Sequence, residues 1–239
     1  MTAIDFSRRS MRQELMDTEP VGFAEFHQCL QQLEVVNVLA LANRPTLRWL
    51  RRELKGARPG DAVSIIDVGS GGGGMLRLIW KMLHRRGLKA GLTGVDINPW
   101  SKQSAEQITP KELGIHFETA DIFSFDPARR ADYVISASFT HHLTDADLVR
   151  FIRWMDAHAT RGWFVNDLHR HPFPYYFIKI MFRLLRFSRM MQSDGPISIS
   201  RAFTSAEWHR LLAEAGIADG RARIRWLFPF RYVVECSKT

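Results

Sequence analysis

Cysteine is scarce in this chain. Cys29 and Cys236 are the only two among 239 residues, and neither stands in a Cys-x-x-Cys or a Cys/His cluster. A disulfide scaffold and a zinc site therefore lack support, and no metal is expected. Long apolar runs are missing too: nowhere do ~18 uncharged apolar residues stand together, so no membrane-spanning helix is expected. The opening M-T-A-I-D-F-S-R-R-S has no apolar core behind its arginines, which argues against a secretory signal. Acids are in deficit, 25 Asp and Glu against 33 Lys and Arg, a formal charge of +8. That excess suits a nucleic acid, an anionic membrane surface, an anionic cofactor or simply a solvated basic surface, because net charge alone names no partner. Without repeats or low-complexity tracts, the chain reads as a cytoplasmic globular protein, one domain with an elaborated cap.

Two patterns follow one another along the sequence. From Phe26 to Leu54 apolar residues recur at three and four, the spacing of helices, with Pro45 as the expected break between two of them. G-A-R-P-G-D at 56–61 is turn chemistry and closes this leading part, so residues 1–60 form an expected helical cap and 61–239 the core. After it, short β-rich runs (62–68, 90–97, 115–120, 133–138, 163–168) alternate with helical ones (75–86, 101–107, 145–158). Thr144 with Asp147 is an expected helix cap, and Thr204-x-x-Glu207 has the form of a capping box. Two closing runs, 221–227 and 230–236, are separated by little more than Phe228-Pro229 and read as an antiparallel hairpin. The alternation predicts an α/β fold with a mainly parallel sheet covered on both faces and a ligand site beyond the strands' carboxyl ends.

The most informative stretch is S-I-I-D-V-G-S-G-G-G-G at 64–74, a strand that runs straight into glycines. Gly69, Gly71 and Gly73 sit between a strand and a helix, where glycine permits a tight turn and lets a ligand rest on bare main chain. Gly69, Gly71 and Gly74 also satisfy the dinucleotide pattern G-x-G-x-x-G, so a nicotinamide oxidoreductase stays open on the glycines alone. Asp67 weighs against it: beside a pyrophosphate this acid is repelled, whereas beside an amine or a water it accepts a hydrogen bond. Asp96, in G-V-D-I-N-P, stands at the next strand end, placed to hold ribose hydroxyls in either cofactor class. Asp121, in E-T-A-D-I-F, stands at the third, where a carboxylate meets an adenine amino group, and Ile97 and Ile122 supply the ring's apolar contacts.

D-V-G-S-G-G-G, G-V-D-I, A-D-I and S-A-S-F-T-H-H-L together resemble class I S-adenosylmethionine-dependent methyltransferases, over about residues 62–236. The resemblance implies a seven-stranded Rossmann-like sheet with a reversed last strand. It also implies S-adenosylmethionine (SAM) held by Asp67, Gly69, Ser70, Gly71, Gly73, Asp96, Ile97, Asp121, Ile122 and Ser138, under a variable cap.

The turn after the fourth strand faces the methyl group in that family. This chain has neither the Asn/Asp-Pro-Pro-aromatic turn of nucleic-acid amino methylation nor a cysteine near the site, so no nucleic-acid partner is expected. F-T-H-H-L-T-D instead looks like the histidine segment of plant-type small-molecule O-methyltransferases. Carried over by position, His141 is the general base and Asp167 the carboxylate that orients it, although His142 and Leu143 replace that family's acid and tryptophan. Imidazole suits the task because its ordinary pKa lies near working pH. A structural or cofactor-packing role for His141 stands beside this one.

Residues 169–192 read as a lid-like insertion after strand five, rich in aromatics and with five Lys/Arg and no acid. As a helix it puts Lys179, Arg183 and Arg186 on one stripe and apolar side chains on another. That pattern suits an acceptor lid or a helix lying on a membrane surface. His142, Tyr176, Phe177 and Arg201 are the expected acceptor contacts, with D-G-P-I-S-I-S-R at 194–201 read as a turn back to the core. Arg221, Arg223 and Arg225 read as a solvated strand edge. The expected activity is SAM-dependent methylation of a hydroxyl on a lipophilic phenol, polyketide or quinone-like molecule. Carbon methylation of a prenylated acceptor and a non-catalytic basic adaptor are the alternatives.

Overall fold

The computed structural model describes residues 4–18 and 21–238. Its elements in chain order are α1 (Leu15–Thr18), α2 (Phe23–Leu39), α3 (Arg44–Glu53), β1 (Ala62–Val68), α4 (Gly74–His84), β2 (Lys89–Asp96), α5 (Pro99–Ile108), β3 (His116–Thr119), β4 (Ala131–Ala137), α6 (Asp145–His158), β5 (Ala159–Leu168), α7 (Pro172–Leu184), α8 (Arg189–Arg201), α9 (Ser205–Glu214), β6 (Arg223–Leu227) and β7 (Arg231–Ser237). The seven strands form one sheet in the order β3-β2-β1-β4-β5-β7-β6. β1 to β5 run parallel, and β7 is inserted antiparallel between β5 and β6. This is the Rossmann-like methyltransferase sheet with its reversed last strand. Parallel strands are buried on both faces, which explains why β1 and β4 read as near-continuous apolar runs.

Helices cover the two faces. On one, Leu148, Phe151, Ile152 and Met155 of α6 and Trp208 and Leu211 of α9 pack against Ile66, Val134 and Val165. On the other, Trp49 and Leu50 of α3 and Leu76 and Ile79 of α4 pack against Ile65, Tyr133 and Phe164. Trp49 stacks on Phe164 at 4.9 Å. Of the expected leading cap, α3 thus covers the sheet, whereas α1 and α2 lie over the site. A third cluster under that cap joins Cys29 of α2 to Phe182 of α7 and Met190 and Met191 of α8.

Local signals hold where side chain and backbone agree. Thr144 Oγ1 accepts from the Asp147 amide at 3.1 Å, and Thr204 with Glu207 closes a complete capping box. Two expectations are corrected. Pro45 stands in the first turn of α3, where its missing N–H costs nothing, and the break falls before it, at Leu41 with φ of +54°. The stretch 194–201 is not a turn but the second half of α8. A Cβ on Gly195 would come within 2.6 Å of the Phe182 ring, so the glycine serves close packing of α8 on α7 rather than a bend.

Candidate active site

Because β1, β2, β3, β4 and β5 run in one direction, their carboxyl ends deliver Asp67, Asp96, Asp121, Ser138 and Asp167 to one edge of the sheet. A cavity of about 1490 Å³ opens above that edge, walled by α2, α7, α8 and the Phe228–Phe230 turn as well as by the strand ends.

The glycine loop is shaped as much by the protein as for a ligand. Gly69, Gly71 and Gly73 have φ of +71°, +49° and +74°, values that L side chains rarely adopt. A Cβ on Gly69 would strike Phe139 at 2.7 Å, and one on Gly73 would strike Phe117 at 2.7 Å, so these two glycines are required by internal packing. The Gly71 amide donates to Asp96 Oδ2 at 2.9 Å, and Asn98 donates to Asp96 Oδ1 at 3.0 Å, which fixes that carboxylate at the cavity wall. Each of its oxygens keeps a further lone pair for a sugar hydroxyl. Glu34 of α2 lies over the loop and pairs with Arg77 of α4 at 2.5 Å.

The expected cofactor residues converge. Gly69, Gly71, Asp96, Ile97, Asp121, Ile122 and Ser138 all line the cavity. Ile122 is buried and Ile97 exposed at the wall, an apolar pair of the kind that receives a flat base. Asp67, Ser70 and Gly73 stand behind that wall. Asp67 is buried, and burial, with the charge of Asp96 second, pushes its carboxyl up to about 8. A carboxylate so placed favours an incoming cation, such as an amine, over a phosphate. The residues present therefore fit SAM: ribose acceptors, an apolar base slot and an acid beneath the loop.

Beyond the loop lies a polar pole. His141 sits in a 3-10 turn, Thr140–His142, directly after β4. Its Nδ1 lies 2.8 Å from Asp167 Oδ1, while Asp167 Oδ2 accepts from the His141 amide at 3.0 Å and from Thr140 Oγ1 at 2.5 Å. Burial opposes ionisation of Asp167, but the neighbouring His141 and these hydrogen bonds hold it well below the usual carboxylate range. An ionised Asp167 only accepts, so Nδ1 of His141 donates to it. His141 is 3% exposed and part of the cavity wall. The sequence-expected pair is thus assembled.

Three residues of this pole were missed by sequence reasoning. Glu14, itself buried, lies 3.7 Å from His141 Nε2 and accepts from Ser198 Oγ at 2.9 Å. Asp17 lies 2.9 Å from His142 Nδ1. Burial alone would lower the His142 pKa, but the Asp17 bond and the Glu14 charge raise it to about 9, so His142 is an imidazolium at neutral pH. Asp194 accepts from the amides of Leu15 and Met16 at 2.8 and 3.1 Å and anchors α1. The only trace in the sequence is an acid pair at helical spacing in E-L-M-D.

The remaining expected contacts divide. Phe177 lines the cavity, as does His142. Tyr176 does not: it is half exposed and packs against Phe6 and Tyr175 instead. Arg201 also lines the cavity, but it is not a surface residue. It is 9% exposed, and its guanidinium donates to the carbonyls of His141, His142 and Arg12 at 3.0, 2.8 and 2.9 Å. Its task is to tie the histidine turn to the leading segment. Arg231, buried beside it in the wall, donates to Ser138 Oγ and Asn166 Oδ1 at 2.7 Å each.

Residues 65–162 match the family model of the methyltransferase domain. The fold is similar to that of the plantazolicin methyltransferase BpumL in complex with SAH, at 15% identity over 94% of this chain and 93% of that one, TM-score 0.67. It is similar to human N-acetylserotonin methyltransferase in complex with SAM, at 20% identity over 95% of this chain and 63% of that one, TM-score 0.62. The magnesium protoporphyrin IX methyltransferase from Synechocystis PCC 6803 with bound SAH follows at 16% identity, 90% and 84% coverage, TM-score 0.51. By sequence, no curated protein matches the chain. The domain match, the strand order and the glycine loop agree: the chain has the fold of these methyltransferases.

Proposed function

We propose that the enzyme methylates a hydroxyl group of a lipophilic small molecule of the phenol, polyketide or quinone-like kind. One observation carries this reading: His141, held through Nδ1 by Asp167, stands in the wall of a cavity lined mainly by apolar side chains. S-adenosylmethionine supplies the electrophilic methyl on a sulfonium. Asp96, Asp121 and the glycine loop orient that ligand, and Phe177, Met181, Leu185 and Phe182 give the acceptor an apolar bed. His141 takes the hydroxyl proton at Nε2, and Asp167 stabilises the imidazolium that forms. Glu14, at 3.7 Å from the same nitrogen, adds a second negative charge beside it.

Replacement of His141 by alanine tests the assignment. It should lower kcat/KM for a hydroxyl acceptor by about 10²–10⁴-fold and leave the affinity for S-adenosylhomocysteine unchanged. Unchanged turnover would remove the imidazole from the chemistry and favour carbon methylation, in which alignment alone supplies the rate.

A further inference from the structure

We infer that the rim of the cavity docks on an anionic phospholipid bilayer, with α7 lying on the lipid surface. The inference stands on the rim and not on which acceptor atom is methylated. α7 has two apolar faces. Tyr175 and Phe182 point inward and are buried, whereas Phe173, Phe177, Ile180 and Leu184 are 60%, 54%, 58% and 70% exposed. Spaced by four, three and four residues, these four share one helix face. Val35, Val38 and Leu39 at the end of α2 and Phe228 in the β6–β7 turn are exposed as well. Five of these and neighbouring side chains, Leu39, Phe173, Phe177, Leu185 and Phe228, both line the cavity and face outward, so the uncovered apolar surface is continuous with the cavity mouth.

Charge selects the occupant. Lys179 and Arg183 stand on α7 to the side of the apolar face, Arg186 follows just past its end, and residues 169–192 hold no Asp or Glu. A symmetric dimer through this face would bring two such cation rows together, and like charges oppose that contact. A bilayer of anionic lipid meets both features: acyl chains receive Phe173, Ile180 and Leu184, and the headgroups neutralise the flanking cations. A lipophilic acceptor could then pass from the lipid into the cavity without crossing water.

The test is sedimentation of the full chain with vesicles of phosphatidylcholine alone and of equal parts phosphatidylcholine and phosphatidylglycerol. The double variant Ile180→Asp/Leu184→Asp removes apolar contacts that do not line the cavity. The native chain is expected to bind the phosphatidylglycerol vesicles, less so at high salt, and the variant to bind about tenfold more weakly or worse. Its melting temperature and affinity for S-adenosylhomocysteine should match the native values, which separates lost docking from lost folding. Absence of native binding to either vesicle, equal binding by the variant, or a native dimer that the variant dissolves would overturn the inference.

Discussion

Asp67 carries an unusual burden for a single residue. Its carboxyl is buried beneath the glycine loop and pushed up to about 8 by burial and by Asp96, from 3.8. Because the folded-state pKa lies above the unfolded one, ionisation is disfavoured in the fold. The stabilisation of the neutral acid is complete below 3.8 and is lost as pH rises through about 8. Asp67→Asn should therefore raise the melting temperature of the ligand-free enzyme at pH 8 and change it little at pH 4. The same change should weaken SAM binding about ten- to hundredfold, since a charge-assisted contact to the bound amine is lost. Calorimetric melting with a binding titration checks both halves; a variant that is destabilised at pH 8 contradicts the first. Asp67, Asp96 and Asp121 were legible because strand ends and glycines give them a position. Glu14 and Asp17 were not, because an acid in a short polar helix looks solvated until the chain folds back over the histidine turn. The tie Arg201 makes to the histidine turn was hidden for the same reason: its three carbonyl acceptors lie far from it in sequence.

At the scale of elements, the leading segment is held to the site by charge. Asp17 and Glu14 bind His142, and Arg9 donates to the carbonyl of Leu143 at 2.9 Å and pairs with Asp145 at 2.7 Å. The His142 pKa is raised from 6.5 to about 9 in the fold, so its contribution to stability is fully present below 6.5 and is lost as pH rises through about 9. The difference in melting temperature between the native enzyme and His142→Asn should be largest near pH 6 and close by pH 10. A difference that grows with pH would contradict this arrangement. Strand limits were read well where apolar runs are continuous: β1 and the start and end of α6 were predicted without error. β5 begins earlier than its apolar run because Ala159-Thr160-Arg161-Gly162 pairs with β4 and β7 through backbone alone. α8 was hidden by Gly195-Pro196, a dipeptide that marks a turn in isolation. Here the tight approach of Phe182 and the Asp194 cap on α1 decide the matter through tertiary contacts that no local pattern shows.

For the molecule as a whole, the account reduces to a division of labour across one sheet edge. β1, β2 and β3 deliver the acids and glycines of the proposed cofactor wall, β4 and β5 deliver the His141–Asp167 pair, and the helices outside the sheet build a largely apolar chamber over both. The architecture was legible in the sequence, because strand–helix alternation restricts the topology strongly. The chamber was legible only in part, since its walls come from stretches of chain far apart in sequence. Calorimetric titration with S-adenosylhomocysteine and with NAD, on the native enzyme and on Asp96→Ala, tests the central claim most directly. Native enzyme should bind S-adenosylhomocysteine in a one-to-one complex that Asp96→Ala weakens at least tenfold, about the contribution of a charge-assisted ribose contact, and NAD should give no heat of binding. Tight binding of NAD with none of S-adenosylhomocysteine would contradict it.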